Sequence, residues 1–156
     1  MASGKNHDRS IYFTSPIVAA VSCYHAGLEL GLIAGVAHLV GGLMLSPDLD
    51  LISRPFKRWG FLKIMWIPYQ HFIPRHRHWL SHGVIVGSAL RLLYLAAWLS
   101  PLLLVFPLSK FQFDSVNLAR AIAIFVGVEI SALNHLVLDG LILPLPKSVK
   151  RALKGD

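Results

Sequence analysis

The chain holds one cysteine, Cys23, inside an apolar run. That excludes a disulfide framework and a metal cluster built on thiolates. Charge is scarce as well: Asp, Glu, Lys and Arg make up 15% of the residues, against roughly 25% in average soluble domains. The opening stretch MASGKNHDRS is polar and lacks the order of basic, apolar and small-residue regions that marks a signal peptide. There is no internal repeat and no low-complexity tract. No basic helix or aromatic-basic ribbon speaks for nucleic acid, so none is expected as a partner.

What the chain has instead is apolar length. Hydrophobic residues account for 54%, and mean hydropathy is +0.57. With 156 residues, it fits a single domain, residues 1–156. These values predict an integral membrane protein with lipids as its surroundings. Apolar blocks cover residues 11–45, 83–108 and 116–145. The last two suit one spanning helix each, at about 20 residues per span. The first is too long for one span and softens at HAGLELG, residues 25–31, which predicts a tight hairpin of helices 11–26 and 28–45. The fold expected is all-α, a membrane-embedded bundle of about four helices.

Between helices 2 and 3, residues 46–79 interleave Trp59, Trp66, Tyr69 and Trp79 with Arg54, Lys57, Arg58 and Lys63. Aromatic and basic residues together favour the headgroup zone. The segment is therefore predicted to lie on the membrane surface, with a short helix over 61–67. Four antiparallel helices put Lys5, Arg9, Arg54, Lys57, Arg58, Lys63, Arg75, Arg77, Lys147, Lys150, Arg151 and Lys154 on one side. Those are twelve of the fifteen basic residues, so that side, with both termini, is cytoplasmic at a cell inner membrane. Gln112 falls on the opposite side.

The same end gathers the residues that can hold a metal: His7 and Asp8, Asp48 and Asp50 in SPDLD, His76, His78 and His82 in HRHWLSH, and His135 and Asp139 in NHLVLDG. His135 and Asp139 are four apart and share a helix face. The bland alternatives are helix caps, a solvated turn, and histidines resting on lipid phosphate. Imidazole and carboxylate without thiolate suit a divalent ion, zinc first, with manganese or iron as alternatives. Deeper in the bundle, His38, Arg91 and Glu129 fall in one layer about 14–15 Å from that end, which predicts a buried Arg91–Glu129 ion pair with His38 nearby.

The order HDR, GGLMLSPDLDL, RWGFLKIMWIPYQ and HRHWLSHG resembles a bacterial family of metal-binding proteins of unknown function. More distantly, the PDxD, HR-x-x-[ST]-H and HxxxD elements are similar to the inner-membrane metal-dependent hydrolases, and through them to zinc-dependent phospholipase C and single-strand nucleases. The resemblance implies His7, Asp50, His76, His82, His135 and Asp139 as ligands, with Asp48 a ligand or general base. Asp8 is a further candidate ligand, and Arg75 and Arg77 are candidates for holding an anionic substrate. His82 lies six residues after His76, one more than in the distant pattern, and a second HxxxE/D element is missing. A mono- or dinuclear site is expected rather than a trinuclear one. The function implied is a membrane-bound hydrolase of phosphoester or lipid-linked substrates. The alternative is a non-enzymatic membrane metal-binding protein that docks a partner.

Overall fold

The computed structural model describes residues 2–105, 114–142 and 147–154. All regular elements among them are helical: α1 Gly4–Ala26, α2 Leu28–Met44, a 3-10 turn Pro47–Asp50, α3 Arg54–Arg58, a 3-10 turn Gly60–Met65, α4 Trp66–Phe72, α5 Trp79–His82, α6 Val86–Val105, α7 Ser115–Leu138 and α8 Lys147–Lys154. The expected position of Gln112 lies outside the described residues.

The hairpin forms where the sequence softens. Gly27 alone separates α1 from α2, at φ 84, a left-handed conformation that glycine adopts without a Cβ clash. Its amide closes on the Cys23 carbonyl at 3.0 Å. Helix α1 starts at Gly4 rather than at residue 11, because Ser3 caps it by accepting the Asn6 amide at 3.3 Å. His7 and Asp8 therefore sit within the helix rather than ahead of it. At the other end of the chain's helical run, α7 closes in a Schellman motif. Gly140, at φ 68, donates to Val137, and Leu141 donates to Leu136, both at 2.9 Å. That motif holds Asp139 as the C-cap, directly after the turn that carries His135.

Helix α2 packs most extensively of all, lying between α1 and α7. Small residues permit this: Gly35 faces Ala19, and Gly127 lies against Ala34, Ala37 and His38. The stretch Leu28–Asp50 and helix α7 are long and apolar enough to cross a membrane by length and composition, and only 39% and 33% of their apolar windows are buried inside the chain. The outer faces carry large apolar side chains, among them Leu32, Val36, Ile122 and Val126, all exposed.

The segment over residues 46–80 differs from the expected surface ribbon. Its short helix is α4, preceded by a 3-10 turn over much of the predicted 61–67 range. Trp66 and Tyr69, expected at the headgroups, are fully buried and form the main core cluster with Leu45, Leu49, Phe56 and Ile73. Trp66 sits edge-on to Tyr69 and beside Tyr94 of α6, with ring centroids 5.5 and 5.4 Å apart. The Tyr94 hydroxyl donates to the Met65 carbonyl, and Trp59 Nε1 donates to the Met44 carbonyl at 2.9 Å. Phe61, Ile64, Phe72 and Trp79 point outward. The segment is two-faced: half of its apolar residues glue it to the helices.

The polar layer also differs from expectation. Arg91, Glu129 and His38 are all buried, as their depth requires, but no direct Arg91–Glu129 ion pair forms among the described residues. Arg91 donates to the Ser81 carbonyl and to Ser88 Oγ. Glu129 Oε1 accepts the Ile85 amide at 2.9 Å. Ile85 is a β-branched residue at φ 67, a conformation that needs outside support. The two buried charges thus brace the α5–α6 joint, Arg91 at the Ser81 carbonyl and Glu129 at the Ile85 amide. His38 Nε2 pairs with Thr14 Oγ1 at 2.8 Å.

Candidate metal centre

Four separate segments deliver side chains to one end of the helices. Helix α1 brings His7, and the Ser46-capped turn with Pro47 at its first position brings Asp48 and Asp50. The short helix α5 and the turn before it bring His82 and His76, and the end of α7 brings His135 and Asp139. Their donor atoms form three overlapping groups: His7, His135 and Asp139; Asp48, His82 and His135; Asp50, His76 and His82. Within each group the atoms lie within 4.8 Å of one another. The groups share His135 and His82, so they make one continuous row with Asp48 at its middle.

The hydrogen bonds decide which nitrogens face the row. His7 Nε2 donates to Asp139 Oδ1 at 3.2 Å, and His76 Nδ1 donates to Asp50 Oδ1 at 3.0 Å. Ser81 Oγ donates to Asp50 Oδ2 and accepts from His82 Nδ1, both at 2.8 Å. Ser46 Oγ pairs with His135 Nδ1 at 3.4 Å. A carboxylate only accepts, so His7 carries a proton on Nε2 and His76 on Nδ1, while Ser81, which gives its proton to Asp50, is left to accept from His82 Nδ1. The other nitrogens, His7 Nδ1, His76 Nε2, His82 Nε2 and His135 Nε2, are buried without a hydrogen-bond partner among the described residues, and so is Asp48 Oδ1.

Five bare acceptors in one buried place are costly unless something positive meets them. The densest group is Asp48 Oδ1, 3.3 Å from His135 Nε2 and 3.6 Å from His82 Nε2. Two histidines with one carboxylate suit a divalent ion of the zinc, manganese or iron type. The arrangement in which each ligating imidazole is held through its second nitrogen is the usual support for such ions. Asp50 and Asp139 stand within ligand reach and also orient His76 and His7. Burial alone would raise the Asp139 carboxyl. The His7 hydrogen bond, the nearby His135 and the Ala2 amide outweigh it and hold the group at about 2.

Other residues singled out in the sequence are placed differently. Asp8 stands in none of the three groups. Its Oδ2 lies 3.0 Å from Arg54 Nη2 and accepts from Arg58 Nη2, two guanidiniums that the fold brings from α3. Arg77 Nη2 donates to Asp139 Oδ2 at 3.0 Å from a left-handed backbone at φ 66. Arg75 is exposed, and His78 caps α5 by accepting the Leu80 amide. Sequence reasoning gave no role to Ser46 or Ser81. The signal for both was local: one serine opens SPDLD, and the other precedes His82.

Residues 2–149 match the family described as uncharacterized metal-binding protein, DUF2227. The chain belongs to this family. An uncharacterized protein of Aquifex aeolicus (strain VF5) is 45% identical over 62 residues, which is 39% of this chain and 43% of that relative. The chain thus spans less than half the length of that relative. No solved structure matches the chain. The family's description and the row of bare donors agree on metal binding.

Proposed function

We propose that this family member is a metal-dependent hydrolase embedded in the cell inner membrane as a four-helix bundle. It acts on phosphoesters of lipid or lipid-linked substrates at the cytoplasmic face. The observation that carries the reading is the set of five bare, buried donors beside a cavity lined by His7, Asp48 and His135. A divalent ion, zinc in the first instance, would supply Lewis-acid activation of water and of a phosphoryl group. The chain's own residues supply the rest. His82, His135 and Asp48 would hold the ion, while Ser46, Ser81, Asp50 and Asp139 support the imidazoles. In the alternative assignment Asp48 is the general base and not a ligand. The apolar outer faces of α2 and α7 support the membrane setting.

A second reading is a non-enzymatic metal-binding protein that docks a partner. It is favoured by the way one ion held by Asp48, His82 and His135 would clamp the residue 46–82 segment to α7. The two are separated by one set of samples: detergent-purified wild type, His135→Ala and Asp48→Ala, each assayed for bound metal and for hydrolysis of a panel of phosphomonoesters and phosphodiesters. We expect metal and hydrolysis in the wild type and loss of both in each variant. Metal without hydrolysis supports the docking reading, and a metal-free wild type removes both.

A further inference from the structure

Beside the His7, Asp48 and His135 part of the row lies a cavity of about 280 Å³. Arg54 and Lys57 of α3 also line it, together with Asp8, which pairs with Arg54. Arg54 is set in place twice. Its Nη2 is 3.0 Å from Asp8 Oδ2, and its alkyl chain runs so close to Gly4 that a Cβ there would come 2.7 Å from Arg54 Cδ. Lys57 is exposed and forms no ion pair among the described residues. In the same lining, His7 Nδ1, Asp48 Oδ1 and His135 Nε2 are buried atoms without a hydrogen-bond partner among the described residues. A cavity lined by cation-holding donors together with a guanidinium and an ammonium is built for an anion. By contrast, neither Arg75 nor Arg77 lines the cavity.

We propose that Arg54 and Lys57, not Arg75 and Arg77, form the substrate-binding wall, and that the group they hold is a phosphate ester of headgroup size. This rests on the metal-centre reading above. The volume is just below the usual range of small-molecule sites, from about 300 Å³ upward, so it admits a phosphate with a small organic group and leaves any acyl chain outside. Ile52, at the rim and 73% exposed, offers such a chain an apolar contact. Asp8 is a positioning residue that aims Arg54, which explains an acidic side chain beside a metal row that it does not join.

The test uses full-length protein in detergent, loaded with zinc, with inorganic phosphate as the probe and its affinity read by calorimetry. Bound zinc is measured on the same samples. Arg54→Gln and Lys57→Gln should each weaken phosphate binding about ten-fold, as loss of a hydrogen bond to a charged group does, with zinc content unchanged. Arg75→Gln should bind phosphate as the wild type does. Glycerol phosphate in solution and phosphatidic acid in micelles then separate the sources of the group: tighter binding of the micellar ester, lost in Lys57→Gln, places the site on lipid headgroups, and equal binding places it on soluble esters. Phosphate affinity that is the same in wild type, Arg54→Gln and Lys57→Gln, or that falls only in Arg75→Gln, overturns the assignment. Absence of zinc from the wild type is a separate result and overturns the metal-centre reading instead.

Discussion

Each histidine of the row is held by one nitrogen and bare at the other, and the holding groups are as informative as the bare ones. Ser81 is fully buried and links Asp50 to His82 through a single hydroxyl. If that hydroxyl sets the His82 tautomer, Ser81→Ala should lower zinc affinity about 10–100-fold, the usual effect of removing such a support. Ser81→Thr should retain most of it. Competition titration against a chromophoric chelator measures both, and an Ala variant with wild-type affinity would show that His82 needs no such support. Asp8 and Asp48 make the complementary point. Both are carboxylates near the same helix ends, yet Arg54 and Arg58 draw Asp8 away while Asp48 keeps a bare oxygen.

At the level of elements, the α1–α2 hairpin and the α2–α7 contact set where the row can form. Both rely on close approach rather than on large interlocking side chains. A Cβ on Gly35 would lie 2.5 Å from the Ala19 Cβ, so Gly35→Val must push α1 from α2. The cost expected is about 1–3 kcal/mol, the range for overpacking, seen as a lower Tm in detergent. Val36→Leu, on the exposed side of the same turn, serves as the control and should leave Tm unchanged. Equal Tm values for the two variants would mean that the helices separate without cost. The α5–α6 joint is a second structural dependence: Arg91 and Glu129 hold its backbone at Ser81 and Ile85, on either side of His82, which two of the three groups share.

For the whole molecule, two stretches among the described residues are long and apolar enough to cross a membrane, and 39% and 33% of their apolar windows are buried. On the membrane reading, the protein should stay in the membrane pellet through alkaline carbonate washing and be released by detergent. A reporter fused to the C-terminus should be active on the cytoplasmic side, following the basic excess at that end. Release by carbonate, or a reporter active only outside, would contradict the proposed setting.

The sequence by itself determined the helical class, the break at Gly27, the shared face of His135 and Asp139, and the burial of His38, Arg91 and Glu129. These follow from apolar period, glycine conformation and rise per residue, all of which are local. Only the tertiary structure decided which carboxylate stays bare, that Trp66 and Tyr69 turn inward, that Arg91 and Glu129 brace a turn rather than each other, and that α3 rather than the Arg75–Arg77 turn lines the cavity. Those outcomes depend on partners that arrive from distant segments. A side chain's charge and position along its helix are written locally, whereas the group that satisfies it is chosen by whichever neighbour the packing brings closest.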